Sequence, residues 1–170
     1  MEKEDERMGK LRESDLVKLK ERYLPLKTKY GLPEFDELNK MFSIEKIDGN
    51  ETDFLLREIR RIISESLSNY INILENLLNP SNAPFFVYSV VKVIDEPKKK
   101  KLSEIYMKLA KDWVPLLQLD LRYREESEAD FIKRAYSLWK DSTSDFYDIL
   151  EFIKKNWETS PDETKSGYLG

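Results

Sequence analysis

The stretch NAPFFVYSVVKVIDEPKKKK, residues 82–101, decides the fold class. Its first half is rich in β-branched and aromatic residues, a composition that favours a β-strand. Its polar residues argue against a strand, because Ser89 and Lys92 are three residues apart and share one side only in a helix. In a strand they would point to opposite faces, and neither face would be cleanly apolar. Since periodicity outweighs propensity, we predict a short core helix over residues 85–94.

The lysines that close this stretch belong to the next predicted helix, which Pro97 can open. Apolar residues recur there at three- and four-residue spacing, which predicts one buried face. The inward residues of that face are Leu102, Ile105, Leu109 and Trp113. Pro115 then interrupts the helix, because proline lacks the backbone donor that a helix interior needs.

Beyond Pro115, LQLDLRYR (residues 117–124) alternates apolar and polar residues, the pattern of a half-buried strand. A strand needs a partner, and the stretch quoted above would supply it in a parallel β-α-β unit over residues 85–124. Continued as a helix, the segment instead places Asp120 and Arg124 at i and i+4, where they can form an ion pair. The sequence leaves both conformations open.

The clearest helical pattern is FLLREIRRIISESLSNYINILENLL, residues 54–78. Two rows of apolar residues follow the helical repeat and widen its apolar face. The rows are Leu56, Ile59, Ile63, Tyr70, Ile73 and Leu77, and Leu55, Ile62, Leu67, Ile71, Leu74 and Leu78. A helix covered on more than one side belongs at the centre of a bundle. Its polar side is expected to carry Arg57, Arg60 and Arg61.

These elements predict an all-α fold, a single-domain bundle of five to seven helices that is kinked near Pro25 and Pro115. The alternative is an α+β fold that contains the β-α-β unit over residues 85–124. The last long helix is predicted to be a single helix or one with a slight kink, because its apolar residues hold one phase. They are Ile132, Ala135, Trp139, Phe146, Ile149 and Ile153.

The two ends of the chain differ from the middle in composition. Residues 1–13 are charged with little periodicity, and we expect a flexible lead-in to a helix that begins at Ser14 and Asp15. The helical domain is expected to span residues 14–157. Residues 158–170 are expected to form a disordered tail.

Composition limits the class of protein. The 29 basic and 33 acidic residues give a net charge of −4, which does not suit a dedicated nucleic-acid binder. Lys and Glu, at 20 each, fit both adaptation to high temperature and plain helix propensity. No apolar run approaches the roughly 20 residues that span a bilayer, and the N-terminus lacks the apolar core of a signal peptide. We expect a cytoplasmic protein that does not bind membranes.

Two missing residue types exclude most enzyme chemistry. Without cysteine the chain has no thiol nucleophile and no thiolate metal site, and without histidine it has no histidine-based triad. Its five glycines do not form a nucleotide-binding motif. The sequence therefore predicts no cofactor, no metal site and no catalytic residues. The remaining enzyme hypothesis is magnesium chemistry on carboxylates near Asp120.

Three groups of charged residues are candidate sites. The lysine block lies at the positive end of a helix dipole, which is unfavourable for cations. It is therefore either a solvated corner or a contact for an anion or an acidic partner. This block is Lys98, Lys99, Lys100 and Lys101. Arg57, Arg60 and Arg61 suit phosphate or carboxylate binding, although neighbouring glutamates also explain them. The pair Asp120 and Arg124 is the best single polar candidate.

Three functions follow from these features. The favoured one is a non-catalytic interaction or scaffold protein that binds a partner, or a second copy of itself, through a helical surface. The second is a helper that contacts nucleic acid or another polyanion through residues 98–101 and 57–61. The third is the magnesium-dependent enzyme.

Overall fold

The computed structural model describes residues 2–47 and 52–159, and all of their regular elements are helical. The α-helices are α1 (Glu2–Tyr30), α2 (Phe35–Phe42), α3 (Leu55–Leu78), α4 (Phe85–Lys92), α5 (Glu96–Ala110), α6 (Trp113–Leu121) and α7 (Glu125–Thr159). Two short 3-10 helices lie at Ile44–Lys46 and Pro80–Asn82. The predicted all-α class is confirmed. The β-α-β alternative is wrong, because residues 85–124 hold α4, α5 and α6.

The chain divides into two compact units. The first consists of Met1–Asn69 and Lys111–Trp139, and the second of Tyr70–Ala110 and Lys140–Gly170. One helical domain over residues 14–157 therefore stays a prediction. Within the predicted tail, residues 158 and 159 close α7 and the rest lies outside the described residues.

Helix α1 is longer than the sequence pattern indicates. It begins at Glu2, so the predicted start at Ser14 and Asp15 is wrong, and residues 2–13 of the expected lead-in have helical backbone. The helix also continues through Pro25 without a break. It ends at Tyr30, and the following Gly31 has a φ of 63°, a left-handed conformation that glycine adopts at little cost.

The core of the first unit draws on several helices. The amphipathic spacing of α2 predicts its buried face, and Phe35, Leu38 and Phe42 are buried as expected. Tyr23 of α1 meets Phe35 edge to face, with ring centroids 5.5 Å apart, and donates its hydroxyl to the Pro33 carbonyl. From α3 and α7 the core receives Leu56, Ile59, Ile63, Phe131, Ile132 and Ala135.

The second unit has a core of its own, formed largely by α5 and the C-terminal part of α7. Leu102, Ile105 and Leu109 of α5 are buried as predicted. Helix α7 contributes Phe146, Ile149 and Ile153, which confirms the single apolar phase predicted for this helix. Helix α4 forms where it was predicted. The prediction that it is a core helix is wrong, because Phe85 is 81% exposed and Val87 is the one buried residue of α4.

The break near Pro115 lies ahead of the proline. Helix α5 ends at Ala110 and α6 begins at Trp113, so Pro115 occupies the first turn of a new helix, where a missing backbone N–H costs nothing. The helical phase of the α5 apolar face therefore ends at Ala110. Trp113 was predicted to point inward with that face, and it is instead 61% exposed.

Helix α7 starts beside the end of α1. Its first residue, Glu125, accepts a hydrogen bond of 2.6 Å from the Tyr30 hydroxyl and pairs with the Lys29 ammonium at 3.0 Å. The Tyr30 hydrogen bond, followed by the one from Lys29, lowers the pKa of the Glu125 carboxyl. This position is favourable for a carboxylate, because the first turn of a helix carries partial positive charge.

Candidate functional site

The arginines of α3 lie in three different environments within the first unit. The Arg61 side chain is largely exposed and pairs with Glu58 one turn away at 3.6 Å. Arg57 is partly covered. Arg60 is only 3% exposed, so its predicted place on the polar side of α3 is wrong.

Arg60 is buried because two carboxylates neutralise it. Its Nε donates to Glu128 Oε2 of α7 at 2.9 Å, and its Nη2 lies 2.8 Å from Asp120 Oδ1 of α6. Glu128 has no exposed surface, whereas Asp120 is open to solvent. A buried ion pair is tolerated only with close geometry, because the desolvation of each ion costs several kcal/mol. Arg60 therefore links α3, α6 and α7.

The second Glu128 oxygen faces Arg57. Arg57 Nε and Glu128 Oε1 are 3.7 Å apart, too far for a hydrogen bond, and both atoms are buried without a hydrogen-bond partner. The Arg57 guanidinium lies 4.8 Å from the centroid of the Tyr123 ring and 5.8 Å from that of Phe54. These two rings meet edge to face at 4.8 Å. Arg57 is thus held by aromatic faces together with one carboxylate.

An open pocket of roughly 470 Å³ adjoins this cluster. Its lining consists of Arg57, Arg60, Arg61, Ser64, Glu65 and Asp120. The charges of the three arginines are balanced by Glu65 and Asp120 in the lining and by Glu58 and Glu128 beside it, so the pocket has no surplus positive charge that would concentrate an anion. Among the described residues no group of three or more acidic side chains is placed to hold a metal ion.

The predicted ion pair between Asp120 and Arg124 does not form in this part of the chain. Helix α6 ends at Leu121, so the two residues do not belong to one helix. Asp120 pairs with Arg60 instead, and Arg124 directly precedes α7, where its carbonyl accepts the Glu128 N–H at 3.0 Å. Sequence reasoning found Asp120 but assigned it the wrong partner.

Sequence reasoning missed Glu128, although its spacing carries a signal. Glu128 stands four residues before Ile132 and seven before Ala135, in phase with the buried face of α7. Arg60 likewise falls between Leu56 and Ile63 in the phase of the α3 core face. A charged residue in phase with each of two apolar faces indicates a buried ion pair.

Carboxylates surround the lysine block, which lies in the second unit. Asp95 accepts the backbone N–H of Lys98 at 3.0 Å and contacts its ammonium at 2.6 Å, and this contact lowers the pKa of the Asp95 carboxyl. Lys98 also lies 3.7 Å from the centroid of the Phe152 ring. Lys99 pairs with Glu96 at 2.9 Å.

The last lysine of the block also pairs with a carboxylate. Lys101 pairs with Asp145 of α7 at 2.8 Å, which raises the pKa of the lysine. Helix α5 starts at Glu96, so two acidic residues, Asp95 and Glu96, precede the lysines and offset their repulsion from the helix dipole. Most of the block's positive charge is neutralised locally, and Lys100 is the exposed member without an ion pair among the described residues.

Helix α6 in the first unit exposes an apolar face, which we call the α6 face. It consists of Trp113, Val114, Leu117 and Leu121. At 100° per residue these side chains fall within a sector of about 100°. Leu119, on the opposite side, is buried. The alternation that suggested a strand thus separates the leucines onto two sides of a helix, and Leu121 is 89% exposed.

A groove of roughly 520 Å³ adjoins the end of the α6 face. Arg122 and Arg124 line it together with Leu119, Leu121, Asp130 and Arg134. Asp130 pairs with Lys133 at 2.9 Å, and Arg134 with Asp112 at 3.4 Å. Within the described residues Arg122 and Arg124 have no carboxylate partner, so the groove carries surplus positive charge.

Helix α4 in the second unit carries another exposed aromatic group. Phe85, Phe86 and Tyr88 are all exposed, and the rings of Phe85 and Tyr88 are 6.4 Å apart. Trp157 of α7 is also exposed, and its indole N–H donates to the Ser89 hydroxyl at 3.2 Å.

The chain matches no protein-family model, no curated protein and no solved structure. Of the helices in the described residues, none combines the length and the apolarity that crossing a membrane requires.

Proposed function

We propose that this chain is a non-catalytic, cytoplasmic interaction protein that binds another protein through the α6 face. The observation that carries the proposal is the exposure of Trp113, Val114, Leu117 and Leu121 on one side of a short helix. Large apolar side chains that remain together in solvent mark interaction surfaces, whereas isolated ones do not. Tryptophan is also one of the residues enriched at the centre of interfaces.

The alternative functions have less support. A polyanion site at residues 98–101 and 57–61 needs surplus positive charge there, but Lys98, Lys99 and Lys101 pair with carboxylates and the α3 arginines are balanced by Glu58, Glu128 and Asp120. A magnesium site at Asp120 needs free carboxylates, whereas Asp120 is paired with Arg60 at 2.8 Å. Self-association through the α6 face belongs to the same class of function and is separated by the experiment below.

The test begins with a photo-crosslinking amino acid at Leu121, and at Leu24 of α1 as a control. Leu24 is an exposed leucine of the same unit that lies outside the α6 face. Crosslinks formed in the source cell and identified by mass spectrometry should come from position 121 and not from position 24. Light scattering of the purified chain separates a second copy from a different partner.

Calorimetry with the identified partner completes the test. The double variant Leu117→Asp/Leu121→Asp should bind at least about tenfold more weakly than the wild type, because central apolar contacts dominate interface energy. Leu24→Asp should bind like the wild type. Equal affinity of all three proteins would overturn the proposal.

A further inference from the structure

The α6 face and its groove together present two kinds of surface to a partner. The apolar part spans Trp113 to Leu121, which is about 12 Å along the helix axis at 1.5 Å per residue. Exposed residues at i, i+4 and i+8 suit a partner helix that presents apolar anchors at similar spacing. The charged part follows directly, because Arg122 and Arg124 come immediately after the helix.

These two arginines are exceptional in the part of the chain whose side chains are described. Arg57, Arg60, Arg61 and Arg134 each pair with a carboxylate, and Arg22 donates to the carbonyl of Thr52. Arg122 and Arg124 have no such partner there and are exposed. An unpaired guanidinium beside an apolar surface favours a carboxylate, to which it can donate two parallel hydrogen bonds.

Both arginines reach the same groove from the short segment between α6 and α7. Arg122 has an extended conformation, with φ of −143° and ψ of 107°. Successive side chains of an extended segment point to opposite sides. Tyr123 meets Phe54 and Arg57, while Arg122 and Arg124 both line the groove. The segment therefore separates its aromatic residue from its two cations.

From these observations we infer that the partner segment is an acidic amphipathic helix, whose apolar side packs on the α6 face and whose carboxylates pair with Arg122 and Arg124. The inference rests on the proposed function and deepens it by naming the chemistry of the partner. The local positive charge is not a consequence of composition, since the chain as a whole has a net charge of −4. A second copy docking by the same face would bring four arginines together, and their repulsion opposes such a dimer.

The test uses the full-length chain and two fluorescent synthetic helical peptides of roughly 14 residues, which is about four turns. Both peptides carry the same leucine stripe, and the flanking positions are glutamate in one and lysine in the other. Fluorescence anisotropy should give at least about tenfold tighter binding of the glutamate peptide. Added salt should narrow the difference, because rim charges are screened.

Charge reversal assigns the effect to the two arginines. Arg122→Glu/Arg124→Glu should remove or reverse the preference for the glutamate peptide. Lys40→Glu/Lys46→Glu is the matched control, because it makes the same change in net charge at two exposed lysines of the same unit. The control should keep the preference, and circular dichroism should show that both variants remain helical.

The outcomes distinguish this inference from the proposed function. Equal binding of both peptides, tighter binding of the lysine peptide, or no binding of either overturns the acidic-helix inference. If the crosslinked partner depends on Leu117 and Leu121 but not on Arg122 and Arg124, the proposed function stands and this inference fails. Binding of anionic vesicles or of a DNA oligonucleotide in preference to the glutamate peptide, lost on Arg122→Glu/Arg124→Glu, overturns it in favour of a lipid or nucleic-acid surface.

Discussion

Two ion pairs of this chain have almost the same length but differ in how much of each side chain is exposed to solvent. Arg60 Nε lies 2.9 Å from Glu128, and Lys101 Nζ lies 2.8 Å from Asp145. The first pair has side chains 3% and 0% exposed, and the second 43% and 45%. Water and salt screen the second pair, whereas the first has lost its hydration and depends on its partners. Burial, and not distance, decides how much each pair matters to folding.

The largest expected effect tests the buried side of this comparison. Glu128→Ala leaves Arg60 buried with only the exposed Asp120, so the free energy of unfolding should fall by about 3–5 kcal/mol. Urea denaturation followed by circular dichroism measures it. Asp145→Ala, at the exposed pair, should lose only a small fraction of that amount.

A double variant separates the loss of the pair from the isolation of a charge. Arg60→Met/Glu128→Leu removes both ions and fills similar space, so it should be more stable than Glu128→Ala alone. Equal losses in Glu128→Ala and Asp145→Ala would contradict the comparison.

A second variant measures what apolar burial contributes on the same face of α3. Ile63 has no exposed surface and stands one turn after Arg60, and Ile63→Ala should lower the free energy of unfolding by about 2–5 kcal/mol. Ile73 on the same helix is exposed, although the sequence placed it in the apolar row, and Ile73→Ala should lose clearly less. A loss below about 1 kcal/mol for Ile63→Ala would mean that the site repacks.

The Glu125 side chain is 37% exposed, and its contribution to the free energy of unfolding depends on pH. Hydrogen bonds from Tyr30 and then Lys29 lower its pKa in the folded state, so its contribution is complete above the unfolded value of about 4.3 and is lost as the pH falls through the folded pKa. Tyr30→Phe removes one of these bonds. The variant should be less stable than the wild type by at most about 1 kcal/mol near neutral pH, with the difference shrinking in acid.

Thermal melts at several pH values check this expectation. Tyr147→Phe is the control, because Tyr147 is exposed and its loss should have no pH-dependent effect. A difference between wild type and Tyr30→Phe that grew as the pH fell would contradict the direction of the pKa shift.

The smallest effect is expected at the lysine block. Replacing residues 98–101 by glutamine removes exposed ion pairs and also relieves their mutual repulsion, so the melting temperature should change little. Lys98→Gln and Lys101→Gln should account for whatever decrease occurs, since Lys98 contacts Phe152 and Lys101 pairs with Asp145, both of α7, and Lys100→Gln should have no effect. A decrease as large as that of Ile63→Ala would break the comparison between exposed and buried pairs.

Several local features of the helices could be predicted from the sequence. Ser89 and Lys92 predicted that α4 is a helix, and the steady phase from Ile132 to Ile153 predicted an uninterrupted α7. Gly31 ends α1 as its conformational freedom allows. Such features depend on neighbours within a few residues, so the sequence contains all the information that they need.

Only part of the candidate site could be predicted from the sequence. Arg57, Arg60, Arg61 and Asp120 were found, but the pairing of Arg60 with Glu128 joins residues 68 apart in sequence. The apolar α6 face was missed, because the alternation of residues 117–124 suggested a strand and Trp113 continued the phase of α5. A pattern fixes which residues share a side only after the ends of the helix are known.

The sequence by itself determined the helical class, the phase of the longest helices and the absence of histidine and cysteine chemistry. Only the tertiary structure decided which faces are covered. Periodicity ranks the sides of a helix relative to one another, but burial depends on the elements that pack against them. Arg60 is therefore buried because Glu128 and Asp120 reach it, and Leu121 remains exposed because no described element of the chain covers it.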